Sequence, residues 1–246
     1  MLEYYMFNKP RGCITARRDE RHATVMDHFP EEKRDMLFPI GRLDKDTEGL
    51  LIITNDGRLF QELMMPDRGV TKTYFFWITG EPSAQKLSEI ESGVKIYKSR
   101  DFETSPAKIE LLSKSTLRDI EAYLSVSDRK LIKKRGDMTV MSGYITISEG
   151  KKHQVKRMLG YGGYRVLYLK RISIGGLSLD ESLPLGEYRP LSENELRILT
   201  NRILKKAEKS AFFNICPSFC ALSLGLHPCA RYPRACHKAS CLGKDL

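Results

Sequence analysis

At 246 residues with 41% hydrophobic residues, the chain has the length and apolar content for one large domain or two small lobes, which excludes a disordered or disulfide-stapled miniprotein. No apolar stretch reaches the roughly 18–20 residues of a membrane helix, and the first residues lack the basic region and small-residue cleavage site of a signal peptide, so a cytoplasmic protein with no membrane contact is expected. A net charge of +10 favours an anionic partner, but residues 201–246 hold eight Lys/Arg against Glu208 and Asp245, leaving only +4 for residues 1–200.

In chain order, residues 3–7 read as a strand, and Asn8-Lys9-Pro10-Arg11-Gly12 as the turn after it. Lys9 and Arg11 read there either as solvated cations or as phosphate contacts. Arg17, Arg18, Arg21 and His22 form a basic loop before a helix start at residues 24–27. Residues 37–40 read as a short strand, and Gly41 to Gly49 as a polar loop with glycine at both ends. The apolar run 50–54 reads as a buried strand. Asn55 and Asp56 then cap a helix with Leu59, Phe60 and Leu63 on one face, and Pro66 to Gly69 breaks it. Asp44 therefore sits in a loop leading into a rigid strand, with Arg42 two residues before it and Asp46 two residues after.

Residues 72–79 form a strong strand pattern, with Tyr74, Phe76 and Ile78 on one face and Thr73, Phe75 and Trp77 on the other. A helix over 82–91, a strand over 102–112 and helical residues 116–123 follow. Residues 127–136 place five cations in seven positions and read as a basic loop, either solvated or steering phosphates. A strand over 142–149 runs into Gly150-Lys151-Lys152-His153-Gln154-Val155-Lys156-Arg157-Met158-Leu159, whose end reads as a helix with Val155, Met158 and Leu159 inward. His153 alone reads as structural. Residues 164–173 read as a strand. The capping box Ser192-x-x-Glu195 opens a helix with Leu196, Leu199, Ile203 and Leu204.

Three of these segments carry a resemblance. Gly41-Arg42-Leu43-Asp44 through Thr47, Gly49-Leu50-Leu51 and Thr54-Asn55-Asp56-Gly57 resembles the active-site motif of the rRNA pseudouridine synthases, above all the small-subunit (16S) branch. Lys72-Thr73-Tyr74 resembles that family's Lys-x-Tyr motif, and Glu149-Gly150 through His153-Gln154-Val155-Lys156-Arg157-Met158 its third motif. Asn8-Lys9-Pro10-x-Gly12, Lys170 to Gly175 and Leu183 to Arg189 continue the pattern, so the resemblance covers about residues 3–200.

The resemblance implies an α+β pseudouridine synthase fold: a largely antiparallel mixed sheet with flanking helices, in two lobes around a basic cleft. It implies isomerisation of a uridine in rRNA, with Asp44 as the essential carboxylate, Tyr74 against the target base and Lys156 paired with Asp44. Arg42 is expected to hold the flipped nucleotide or fill its place, and Lys9, Lys72 and Arg157 to contact the RNA backbone. No cofactor and no metal are expected. The partner implied is rRNA or a pre-ribosomal particle, bound by a monomer.

Many members of that family carry an N-terminal domain resembling ribosomal protein S4, which has no counterpart here. The domain reading is a catalytic region over 1–200 and a basic, cysteine-rich extension over 201–246. The extension's irregular cysteine gaps, from Cys216 to Cys241, fit a zinc knuckle poorly. Two other readings remain open: an inactive rRNA-binding or assembly protein on the same fold, and a 23S rather than 16S target. An acid-dependent glycosidase would need a second carboxylate across a cleft, and Asp46 is too near Asp44 in sequence to provide it.

Overall fold

The computed structural model describes residues 1–65, 68–97 and 102–200, all within one compact unit. The cysteine-rich stretch, Pro66, and Ile203 and Leu204 lie outside the described residues. Nine strands make one sheet with the path β11-β1-β3-β9-β4-β8-β7, and β2 and β10 attach to β3 and β9. These strands are β1 (Tyr4–Lys9), β2 (Phe38–Ile40), β3 (Glu48–Thr54), β4 (Lys72–Thr79), β7 (Lys108–Thr116), β8 (Thr139–Ile147), β9 (Val166–Ile174), β10 (Leu177–Ser178) and β11 (Tyr188–Pro190). Two short strands, β5 (Lys95–Ile96) and β6 (Phe102–Glu103), pair separately. Every strand pairing is antiparallel except β3 with β9, so the sheet is mixed and mostly antiparallel.

All seven residues of β3 are buried because both faces of this part of the sheet are covered. Leu50 and Ile52 pack with Met6, Leu59, Leu63 and Leu199 on one side. Leu51 and Ile53 pack with Tyr5, Phe7, Met26 and Phe29 on the other. That is why the segment reads as a continuous apolar run rather than an alternation. After the short helix α1 (Glu31–Arg34), helix α2 (Gly57–Met64) follows β3 and is capped by Asp56, which accepts from Arg58 N at 2.9 Å and Leu59 N at 3.2 Å. Phe60 is 36% exposed and turns away from the core face expected for it, while Leu59 and Leu63 fill that face.

A third cluster joins Tyr74, Phe76 and Ile78 of β4 to Ile90 of α3 (Ala84–Ser92) and to Val155, Met158 and Leu159 of α5 (Gln154–Tyr161). A fourth lies around Trp77 on the opposite face of β4. The basic segment expected as a loop is a helix, α4 (Val126–Arg135). Ser125 caps it by accepting from Asp128 N, and Leu131 and Ile132 pack on the Trp77 cluster. Residues 193–200 are helical, and both halves of the capping box form: Ser192 N donates to Glu195 Oε2 at 2.8 Å, and Glu195 N to Ser192 Oγ at 3.3 Å.

The parallel seam between β3 and β9 is only two residues wide, Glu48 beside Lys170 and Gly49 beside Arg171. A Cβ on Gly49 would lie 2.2 Å from the carbonyl oxygen of Arg171, and Gly49 has φ +102°. Close approach and left-handed backbone both require glycine here.

Candidate active site

The loop between β2 and β3 is fixed from beneath. Lys9 is fully buried, and its ammonium donates to the carbonyls of Pro10 at 2.9 Å and Thr47 at 3.0 Å, with Lys45 O at 3.5 Å. Thr15 Oγ1 donates to Leu43 O at 2.8 Å and accepts from Leu43 N at 3.1 Å. Thr47 N closes the loop onto Asp44 O at 3.1 Å. With the backbone held, the Asp44 side chain faces outward, 27% exposed.

Opposite it stands the first turn of α5. Lys156 Nζ lies 3.0 Å from Asp44 Oδ2, and His153 Nε2 lies 3.5 Å from Oδ1. A carboxylate facing the first turn of a helix is also favoured by the backbone dipoles. Among the described residues, His153 alone combines a side chain with left-handed backbone, at φ 54°. The turn before it is tied down by Gln154, which donates to Glu149 Oε1 at 2.7 Å and accepts from Lys151 N at 2.9 Å.

Lys156 Nζ also bonds Asp46. Partial burial works against a charge on Asp46, but the hydrogen bond and positive charge of Lys156 prevail and hold its carboxyl below the ordinary range. The ammonium is thus shared by two acids of one loop.

Asp44 and Lys156 line a pocket with about 410 Å³ of open space, together with Arg42, Tyr74, His153 and Leu169. Tyr74 is 7% exposed and belongs to the core cluster behind the pocket. Its hydroxyl bonds no described residue. Arg42 is exposed at the pocket, and its side chain bonds no described residue. The structure therefore brings Asp44, Tyr74, Lys156 and Arg42 to one place.

It does not bring Lys9 and Lys72 there. Lys9 is spent on loop carbonyls. Lys72 is 8% exposed, donates to Val70 O at 2.8 Å, and is pulled down to about 8 by burial and by Arg171. Both ammonium groups are buried against protein carbonyls, and neither lines the pocket where backbone contacts were expected of them. Arg157 is half-buried, with its guanidinium 4.4 Å over the ring of Phe102.

Beside the pocket lies a second network that sequence reasoning missed. Arg11 Nε is 2.9 Å from Glu48 Oε1, Tyr168 OH donates to Glu48 Oε2 at 2.8 Å, and the Arg11 guanidinium sits 4.8 Å over the Tyr168 ring. Glu48 follows Asp44 by one loop turn, so this network braces the start of β3. Nothing local in the sequence joins Arg11, Glu48 and Tyr168. Among the described residues, no group of three or more His, Cys, Asp or Glu is placed to hold a metal ion, and no helix is long and apolar enough to cross a membrane.

A carboxylate 3.0 Å from an ammonium, backed by an aromatic wall and open to solvent, suits attack on or proton removal from a neutral ring or sugar. Comparison with known proteins supplies the family. Residues 3–161 match the family model described as RNA pseudouridylate synthase. The uncharacterized RNA pseudouridine synthase YtzG of Bacillus subtilis (strain 168) is 42% identical over 197 residues, 80% of this chain and 72% of that protein. Ribosomal small subunit pseudouridine synthase A of Pseudomonas aeruginosa is 35% identical over 193 residues, 78% and 72% of the two chains. Ribosomal large subunit pseudouridine synthase B of Bacillus subtilis is 34% identical over 209 residues, 85% and 75%. A crystal structure of a pseudouridylate synthase superposes with a TM-score of 0.64 at 32% identity, over 81% of this chain and 74% of that one. With its matched motifs gathered around Asp44, the chain belongs to the RNA pseudouridylate synthase family.

Proposed function

We propose that this protein isomerises a uridine of ribosomal RNA to pseudouridine, that 16S rRNA is the substrate, and that Asp44 is the essential carboxylate. The observation that carries the reading is the Asp44–Lys156 ion pair at 3.0 Å on the wall of a pocket shared with Tyr74. The reaction breaks the N1–C1′ bond of uridine and joins C5 to C1′. The proton displaced from C5 is balanced by one gained at N1, so no oxidant or group donor takes part. Asp44 acts on the sugar or the base, with the Lys156 ammonium 3.0 Å from its carboxylate. A uridine in structured RNA must leave its stack first, at a cost of a few kcal/mol. Tyr74 offers the extruded base a surface, and Arg42 is placed to hold the nucleotide's phosphate. The enzyme acts as a cytoplasmic monomer on rRNA or a pre-ribosomal particle.

A 23S target has one specific observation in its favour: the large-subunit relative matches at 34% identity over 85% of this chain, level with the small-subunit relative at 35%. Mapping pseudouridines in 16S and 23S rRNA, from cells with and without the protein, decides between them. One 16S site that is lost, and restored by wild type but not by Asp44→Asn, is the expected result. A lost 23S site moves the substrate. No lost site, with the protein still bound to ribosomal precursors, favours a non-catalytic assembly protein. Tyr74→Phe is expected to bind RNA normally and turn over about tenfold more slowly, as for loss of one positioned hydroxyl; an unchanged rate removes the hydroxyl from the mechanism.

A further inference from the structure

The positive charge of the described region is concentrated on one helix. Residues 1–200 have a net charge of +4, and α4 contains five cations (Arg129, Lys130, Lys133, Lys134 and Arg135) against one acid, Asp128. The remainder of residues 1–200 is therefore neutral in sum. Asp128 is buried and bonded to Arg165. The five cations are exposed, and none has a side-chain bond to a described residue.

Helix stability does not account for them. Arg129 and Lys133, and likewise Lys130 and Lys134, are like charges four residues apart, which destabilise a helix. Arg129 also stands in the first turn, where the helix dipole disfavours a cation. Only the last three cations gain from the helix end. The helix is held on the body by the Asp128–Arg165 pair and by Leu131 and Ile132, so the charged face is not needed for anchoring.

Its position gives the charge a use. The start of α4 lines a cavity of about 760 Å³ of open space, in which Ser125 and Ser127 share the walls with Asp46, Lys156, Arg165 and Tyr168. Lys156 belongs to both this cavity and the Asp44 pocket. The first turn of the cationic helix thus borders a cavity that Lys156 shares with the Asp44 pocket.

We propose that the outward face of α4 is a docking surface for the phosphate backbone of structured RNA, gripping the strand beside the nucleotide held at Asp44. This rests on the RNA reading of the pocket. Non-directional contact by lysine and arginine to phosphate supplies affinity and position without reading sequence. The surface therefore raises RNA affinity and leaves the chemical step alone.

The test uses unmodified 16S and 23S rRNA transcripts as probes, titrated against the full chain from about 50 to 400 mM KCl. The triple variant Lys130→Gln, Lys133→Gln, Lys134→Gln keeps helix propensity while removing three charges. The slope of log affinity against log salt is expected to fall by about two to three, and affinity at 150 mM salt by about tenfold or more. Turnover at saturating transcript should stay within about twofold of wild type. The matching triple change to arginine should keep the wild-type slope, which separates loss of charge from loss of fold. An unchanged slope and affinity in the glutamine variant overturns the proposal and leaves α4 a solvated face. Normal binding to transcripts with weakened binding to precursor ribosomal particles also overturns it, in favour of a protein contact. Asp44→Asn should keep the full slope. If wild type makes no pseudouridine but the α4 slope effect persists, the catalytic reading falls and the docking surface stands.

Discussion

Among the described residues, two cations each bridge two acids, Lys156 between Asp44 and Asp46, and Arg189 between Asp180 and Glu195. Burial does not tell them apart, since Lys156 is 25% and Arg189 32% exposed. What differs is whether any bonding capacity is left over. Arg189 donates Nε to Asp180 Oδ2 at 2.8 Å and both terminal nitrogens to Glu195, at 2.9 and 2.7 Å. The second oxygen of Asp180 is taken by Ser182, and Glu195 also accepts from Ser192 N. That set is closed, and it ties β11 to the start of the helix over 193–200. Asp44 has one ion pair at 3.0 Å, a histidine at 3.5 Å, and an open pocket in front of it. A staple uses up its bonds; a site keeps some in reserve for a substrate.

Substitutions on the two sides should separate these roles. Asp44→Asn removes the charge at nearly constant volume and should abolish detectable turnover while the melting temperature stays close to wild type; measurable turnover would place the essential acid elsewhere. Lys156→Gln should lower kcat by about a hundredfold, in the range for loss of one charged partner at a reacting group, with RNA affinity little changed. A loss appearing only in KM would make Lys156 a binding residue. Arg189→Gln should do the reverse, costing roughly 1–2 kcal/mol of stability because the pairs are part-exposed and leaving kcat unaltered below the melting transition. A kcat defect there would erase the distinction.

The smallest effect is in acid. Hydrogen bonding to Arg189 outweighs partial burial and lowers Glu195 from 4.5 to about 2. Asp180 is lowered as well, chiefly by its bonds to Ser182 and Arg189. A depressed carboxyl contributes stability that is fully present above its unfolded value and is lost as pH falls towards the folded one. Wild type should therefore lose stability between about pH 5 and 2 more steeply than Arg189→Gln. Parallel melting curves for the two would show that the clamp carries no such linkage.

The pocket side was the more legible in sequence, because Asp44, Tyr74 and Lys156 sit in motifs and β3 is an unbroken apolar run. What stayed hidden depends on partners far along the chain. Nothing near Lys9 or Lys72 announces that their ammonium groups are buried. Their carbonyl partners include Thr47, 38 residues from Lys9. Asp46 stood next to the motif, yet its role required Lys156, 110 residues away, to come between the two acids. The helix α4 was obscured by its own charge, which outweighed the two apolar residues, Leu131 and Ile132, that seat it. Phe60 lay within a helical pattern whose core face was already filled by Leu59 and Leu63.

The second acid on Lys156 has a consequence for the order of events in a turnover. Any step in which Asp44 spends its charge on a substrate would leave the ammonium without a counter-charge, were Asp44 its sole companion. Asp46 is also bonded to it, and that bond holds the Asp46 carboxyl below the ordinary range, so a counter-charge remains. Lys156 can release Asp44 and take it back without travelling. It also has less reason to capture a passing phosphate in the interval.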